Sequence, residues 1–303
     1  MGSGAEADLA DARRAATELI PELLRRCAFP AGGVTVTCAV SGGADSLALL
    51  VLAAAAGCEV TAVHVDHGLR PGSAREADVV ADAAERVGAA FRSVQVVVDP
   101  GPNLEARARA ARYAALPPDV LTGHTADDQA ETILLNLLRG ASLDGLVGYA
   151  PARRPIRALR RSETEALCAA LGLVPVVDPS NRDAVHRRNR VRHEVLPMLD
   201  EIAERDVAAV LARQADLLRA DAVLLDELSS SLDPTDARGL ASAPVPLARR
   251  AVRRWLRTGP EQHPPDAATV ERVLAVARGE AVACEVGGGR SVRRSGGRLR
   301  LAP

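Results

Sequence analysis

Val34-Thr35-Val36-Thr37-Cys38-Ala39-Val40 runs straight into Ser41-Gly42-Gly43-Ala44-Asp45-Ser46, and the reading of this stretch decides the fold. The first part is a short β-branched run, which predicts a strand. The Ala/Leu-rich segment from Ser46 to Ala56 predicts a helix, and Ser41–Ser46 is the Gly-rich turn between them. Such a turn at a helix N-terminus is an anion site, because backbone N–H groups converge there and the helix dipole adds partial positive charge. Ser41 and Ser46 bring hydroxyl donors. Asp45 is out of place beside phosphate unless it meets a metal ion or a nucleophile. The turn is no Walker A loop, because G-x-x-x-x-G-K-[ST] is missing from the chain. An ordinary strand–helix turn is the bland alternative, and the rest of the sequence has to decide.

Working outward, the next 100 residues alternate strand and helix signals. Strands are predicted at Val34–Val40, Glu59–Val65, Phe91–Val97 and Asp119–Thr122, with helices at Leu9–Arg26, Ser46–Ala56, Ala74–Val87, Leu104–Ala115 and Ala126–Leu138. The strand runs are nearly continuous and apolar, as expected of an α/β fold whose parallel sheet carries helices on both faces. Sheets of this kind bind ligands beyond the carboxyl ends of their strands. A Gly/Pro/Arg-rich connection (141–161), a helix at Ser162–Leu171, a polar loop at Asp178–Asp183 and an Arg-dense segment at His186–His193 follow. Beyond them a mainly helical C-terminal region is expected. It comprises a long helix at Ile202–Leu228, a hinge at Ser229–Pro246, helices near Pro246–Arg257 and Asp266–Ala277, and three short strands broken by glycines. The expected division is 1–200 and 201–303.

Three polar segments fall at predicted strand ends. His64-Val65-Asp66-His67-Gly68-Leu69-Arg70 closes the second strand, beside the Gly-rich turn. A lone histidine is more often a satisfied structural residue, but His64 and Asp66 here stand where ligand-facing residues gather. Gly123-His124-Thr125-Ala126-Asp127-Asp128-Gln129-Ala130-Glu131 follows the fourth strand. Acids in a first helical turn complement the dipole, which accounts for one of them more easily than for three. Asp127 and Glu131 share a face at i, i+4 and could hold Mg²⁺ or a cationic substrate. The third segment, Asn103–Tyr113, places Arg109 and Arg112 on one face, either solvated or bound to an anion.

Composition bounds the partners. The chain has 303 residues, a net charge of −1, 2% aromatic residues and no lysine, so all 38 basic side chains are arginine. No lysine of the chain can then act as nucleophile or phosphate clamp. Five scattered cysteines without a C-x-x-C pair argue against a disulfide framework, a zinc site or an iron–sulfur cluster. The lack of an 18-residue apolar run or a basic-then-apolar N-terminus points to the cytoplasm. RNA binding would need local patches. Between 151 and 199 there are ten arginines against five acids. Further runs lie at Arg249-Arg250, Arg253-Arg254-Arg257 and Arg290–Arg300.

Together these motifs carry a resemblance. SGGADS resembles the S-G-G-x-D-S signature of the PP-loop ATP pyrophosphatases, of adenine-nucleotide α-hydrolase-like fold. HVDHGLRPGS, EARARAARY, GHTADDQAETILLNLLRG, Arg154-Pro155-Ile156, Asp178-Pro179-Ser180-Asn181 and Arg188-Asn189-Arg190-Val191-Arg192 resemble, in order, the blocks of the tRNA(Ile)-lysidine synthase family. The resemblance covers roughly residues 30–200 and thins beyond. It implies ATP-dependent ligation of free lysine onto carbon 2 of the first anticodon cytidine of a CAU-bearing isoleucine tRNA, through an adenylated base. The implied ATP site comprises Ser41, Gly42, Gly43, Ala44, Asp45, Ser46, His64, Asp66, Gly123 and His124. Asp45, Asp127, Asp128 and Glu131 are the candidate catalytic residues, with Asp45 also the candidate Mg²⁺ ligand. Arg109, Arg112, Asn181, Arg188, Asn189 and Arg192 are the candidate RNA contacts, and a homodimer is possible. The rivals are a tRNA cytidine thiolase, which would be expected to carry C-x-x-C pairs, an amide-forming ligase of the same superfamily, and a nucleotide-binding RNA adaptor without chemistry.

Overall fold

The computed structural model describes residues 18–66, 68, 73–98, 101, 104–148, 151–177, 183, 185–257 and 265–302. They fall into two compact units, Met1–Asp216 and Leu217–Pro303. The division lies inside a helix, later in the chain than the expected 200/201.

The first unit is built on a four-stranded parallel sheet in the order β3-β2-β1-β4, from β1 (Thr35–Ala39), β2 (Glu59–Asp66), β3 (Ala90–Gln95) and β4 (Leu121–Thr122). Register is set by the period of two along each strand. Val36, Cys38 and Val40 of the first strand, with Val60 and Ala62 of the second, enter one apolar cluster, while Ala39, Val63 and Val65 enter a smaller one with Leu116 and Val120. Cys38 pairs with Ala62 on one side and Leu121 on the other.

Helices α1 (18–24), α2 (Ala44–Ala55), α3 (Ser73–Arg86), α4 (Leu104–Ala114), α5 (Ala126–Leu138) and α6 (Leu143–Leu146) follow in turn. After a 3₁₀ turn (Pro151–Arg153) come α7 (Arg161–Ala170), α8 (Arg187–Arg190), a π-helical turn (Val191–Val195) and α9 (Leu196–Ala203). α2 is apolar all round, and Ser46 through Ala53 are all buried, because it lies between the sheet and α7. Burial of its four leucines contributes about 6–12 kcal/mol before chain entropy is set against it. Helices occupy both faces of the sheet, as expected.

The second unit holds most of α10 (Val207–Ser230), with α11 (Ala237–Ser242), α12 (Val245–Leu256) and α13 (Ala267–Arg278). An antiparallel sheet of β5 (Ala283–Gly287), β6 (Arg290–Ser295) and β7 (Arg298–Ala302) completes it. Its core joins Leu240, Val252, Val273 and Leu274 to Val292 and Leu299.

Two expectations are corrected. The helix expected at Ile202–Leu228 is broken. Glu204 takes the left-handed conformation (φ 50°) and caps α9, and the Asp200 and Asp206 carboxylates accept from the N–H groups of Val207 and Ala209 to start α10. The hinge expected at Ser229–Pro246 contains α11, whose Ala237 and Leu240 are buried in the core. Of the helix expected at Leu9–Arg26, residues 18–26 are described, and the helix ends at residue 24.

Candidate active site

Two loops meet at the carboxyl edge of the sheet, one after β1 and one after β4. In the first, Gly42 has φ +86°, a conformation L side chains avoid, and a Cβ there would lie 3.0 Å from Cγ2 of Val176. Gly43 caps α2, and its carbonyl accepts from the N–H of Ser46 and Leu47. The Ser46 hydroxyl donates to the same carbonyl (2.8 Å) and accepts from the Ser41 N–H (3.1 Å), closing the turn on itself. The result is an uncharged rim of backbone donors at a helix N-terminus, the geometry that holds phosphate.

The second loop touches the first through Gly123. A Cβ at this position would stand 2.6 Å from the Asp45 carbonyl oxygen and 3.1 Å from Ser46 Cα, so only glycine permits this packing. Thr125 then caps α5, its N–H donating to Asp128 Oδ2 at 2.9 Å. His124 Nδ1 lies 2.8 Å from Thr122 Oγ1. Burial, with Arg154, Arg109 and Arg188 adding to it and Asp128 opposing, lowers the His124 pKa to about 4.

The carboxylates of this edge are gathered by arginines. Asp127 receives a bidentate pair from Arg160 (3.0 and 2.9 Å) and the backbone N–H of Arg161 (2.8 Å). Burial opposes ionisation, but those hydrogen bonds outweigh it and hold the carboxyl below its ordinary range. Asp128 takes Arg161 and Arg188, each at 3.2 Å, and against the same burial these charges keep its pKa low. Glu131 is fully buried and meets Arg161 (3.3 Å), Arg188 (2.6 Å) and Arg192 (2.6 Å).

Asp45 accepts from Arg161 Nε at 3.2 Å and from the buried Thr164 hydroxyl. Its burial dominates over Arg161 and Thr164 and raises its pKa to about 6. Arg161 thus links the phosphate turn to the acids of α5, and its own pKa is raised because those charges outweigh its burial.

Several expected site residues sit differently. Arg188 and Arg192 turn inward onto Glu131 and Asp128, and Asn189 is buried with its amide donating to the Asp183 carbonyl (2.9 Å). In this arrangement the charges of Arg188 and Arg192 are balanced within the protein. Both Glu131 oxygens are held by guanidinium groups. His64 is buried on β2, with Nδ1 3.0 Å from the Val40 carbonyl. It braces the strand that enters the Gly-rich turn instead of lining the turn. Asp66 ends β2 and accepts from the Gly68 N–H. Arg109 lies over the Tyr113 ring at 5.1 Å, and Arg112 is half-buried. Asn181 lies outside the described residues, as does the rest of Asp178–Asn181.

Arg160, Arg161 and Thr164 were missed as site residues. In the sequence the two arginines belong to a basic stretch, and Asp45 and Arg161 lie 116 positions apart in the chain.

In the second unit, Arg250 pairs with Asp226, Arg298 with Asp233 and Arg249 with Glu271. Arg254 and Arg294 donate to the carbonyls of Ser229 and Ala277.

A four-stranded parallel sheet with a glycine-lined phosphate turn at the β1–α2 junction defines a PP-loop protein, and the PP-loop domain family matches residues 15–199. A TilS substrate-binding domain matches residues 236–300. The tRNA(Ile)-lysidine synthase of Nocardia farcinica is 42% identical over 296 residues, covering 90% of this chain and 93% of that one. The enzymes of the same name from Rhodococcus erythropolis and Mycobacterium tuberculosis are 45% and 41% identical, over 74% and 73% of this chain and 74% of each relative. Among solved structures, the U34-tRNA thiolase NcsA of Methanococcus maripaludis shares the fold at a TM-score of 0.51 and 17% identity, over 71% of this chain and 80% of that one. The chain belongs to the tRNA(Ile)-lysidine synthase family. Among the described residues no helix is long and apolar enough to cross a membrane.

Proposed function

We propose that the chain joins free lysine to carbon 2 of the first anticodon cytidine of CAU-bearing isoleucine tRNA, with ATP converted to AMP and pyrophosphate. One observation carries the reading beyond family membership. The phosphate turn and the acid-bearing start of α5 are packed backbone to backbone through Gly123, so an anionic and a cationic substrate group can be held side by side.

In this reading the cytidine O2 attacks the α-phosphorus of ATP, the bond to the bridging oxygen breaks, and pyrophosphate leaves against the N–H groups of Gly42–Asp45. Carbon 2 then carries AMP as a leaving group. The lysine amine adds there, loses a proton, and AMP departs with the former O2. Ser41 and Ser46 orient the phosphates, and Arg161 steadies the charge that grows on the oxygens. Asp128 is the carboxylate we assign to the lysine ammonium, Asp45 being assigned to the metal ion, with Asp127 and Glu131 holding Arg160, Arg161, Arg188 and Arg192 in place around them.

A single carboxylate beside a phosphate turn also suits Mg²⁺, which commonly takes one or two protein carboxylates together with substrate phosphates. Asp45 would hold it, and the ion would neutralise charge on the phosphates. Among the described residues no cluster of three ligating side chains forms a metal cage. We assign residues 1–200 to ATP binding and catalysis and 201–303 to tRNA binding.

The test is incorporation of radiolabelled lysine into an unmodified CAU isoleucine tRNA. Incorporation should require ATP and fail with an elongator methionine tRNA. Transfer to both tRNAs, or to neither, would overturn the substrate assignment. In a second arm, Asp45→Asn is expected to abolish adenylation, and retained turnover would remove Asp45 from the mechanism.

A further inference from the structure

The far end of α5 carries a cavity away from the active site. Leu135, Leu138, Arg139, Arg187, Arg190, Val191 and Val195 line a cleft of about 320 Å³ between α5 and the π-helical turn. Leu138 is ten residues beyond Asp128, about 15 Å along the helix axis. The floor is aliphatic and the rim is guanidinium. Leu138 is 75% exposed and its neighbour Leu137 56% exposed, a large apolar exposure for the last turn of a helix.

Charge balance separates this rim from the arginines of the active site. Arg160, Arg161, Arg188 and Arg192 are all neutralised by carboxylates. Arg139 and Arg187 are exposed and have no carboxylate partner among the described residues, and Arg190 shares one exposed glutamate, Glu194, on its own helical stretch. Residues 188 and 192 face inward while 187 and 190 face out, so this one segment serves both environments. An apolar floor edged by unpaired guanidinium groups complements a ligand with a flat apolar face and negative charge on either side, which describes an unstacked nucleotide in an RNA loop.

We propose that this cleft takes an unpaired nucleotide of the RNA substrate, its base on Leu135, Leu138, Val191 and Val195 and its flanking phosphates on Arg139 and Arg187. The inference rests on the tRNA reading above and adds a subsite to it. RNA contact is thereby moved from Arg188 and Arg192 to the outward side of the same segment.

The test uses the full chain and unmodified isoleucine tRNA, with affinity measured between about 50 and 200 mM salt. Arg139→Gln with Arg187→Gln is expected to weaken binding and to flatten the slope of log K against log salt by about 1.5, the contribution of two phosphates. The double Lys variant should restore the slope. Leu138→Gln, at an exposed position, should cost about fivefold in affinity and leave the slope unchanged. ATP affinity should be that of the parent throughout. Parental slope and affinity in the Gln variants would overturn the proposal. So would a change in self-association of Leu138→Gln without a change in tRNA affinity, which would assign the cleft to a second copy of the chain.

Independently of any variant, tRNA with photoreactive nucleosides on either side of the target cytidine should crosslink the parent protein within 135–139 or 187–195. Adducts confined to other peptides would also overturn it. If the parent crosslinks here yet transfers no lysine, the cleft stands and the lysine reading falls.

Discussion

α2 and α5 begin at the same edge of the same sheet, each after a parallel strand, yet their first turns offer opposite chemistry. The start of α2 is glycine and serine with its charge supplied by backbone dipoles, and it suits an anion. The start of α5 carries three acids, and four arginines from later in the chain are needed to hold them. Position in the fold is therefore not what differentiates the two ends. The difference lies in side chains that approach from α7, α8 and the π-helical turn. A helix N-terminus is a general anion site, and it becomes a cation site only when carboxylates are imported and their surroundings are charge-balanced.

The contrast can be broken most severely on the acidic side. Glu131→Gln leaves Arg188 and Arg192 facing a neutral partner at a fully buried position. It is expected to lower unfolding stability by about 3–5 kcal/mol in denaturant titration, the cost of uncoupling a buried ion cluster. A loss below about 1 kcal/mol would show that the cluster is redundant.

The junction comes next. Gly123→Ala places a methyl group 2.6 Å from a backbone oxygen, so the two loops must part. The expectation is a loss of about 2–3 kcal/mol together with at least tenfold weaker ATP binding. Normal ATP affinity in a destabilised variant would separate the two ends.

Asp45 gives a comparison in pH. Its folded pKa of about 6 lies above the ordinary 3.8, so the folded state holds its proton more tightly than the unfolded chain. The stabilising contribution is complete below pH 3.8 and is lost as pH rises through about 6. Asp45→Asn should then exceed the parent in stability by about 2–3 kcal/mol at pH 8 and converge with it below about pH 4, read from unfolding midpoints. A constant difference across pH would remove the buried-carboxyl account.

The smallest expected effect is at the turn. Gly42→Ala forces a side chain to φ +86° against Val176 and should cost about 1–2 kcal/mol. Its larger signature should be in ATP affinity measured by calorimetry.

Much of this was legible in the chain. The β-branched runs located β1 to β4 to within a few residues, and the turn Ser41–Ser46 and the acids of α5 fell at strand ends where the fold places ligands. What stayed hidden depends on three-dimensional approach. The sequence marks Gly123 as part of the implied ATP site but does not say why a glycine stands there, and its contact with Asp45 supplies the reason. Arginines 187 to 192 read as one basic run because a run does not show which members face inward. The break at Glu204 was missed because Ala, Glu and Leu propensities favour a continuous helix, and two aspartates acting as caps override them.

The π-helical turn at Val191–Val195 has a consequence for how this segment tolerates change in length. A π turn holds one residue more than the α-helical turn it replaces, so it behaves as an insertion absorbed within a helix. Deleting one residue of the turn would let the helix wind regularly, and the elements after it would keep their rotation. Leu196 would stay in its cluster with Ala130, Leu134, Val191 and Ala208. In this part of the chain spacing is freer than inside a regular helix, and homologous sequences should align here with a single-residue gap wherever the π turn is lost.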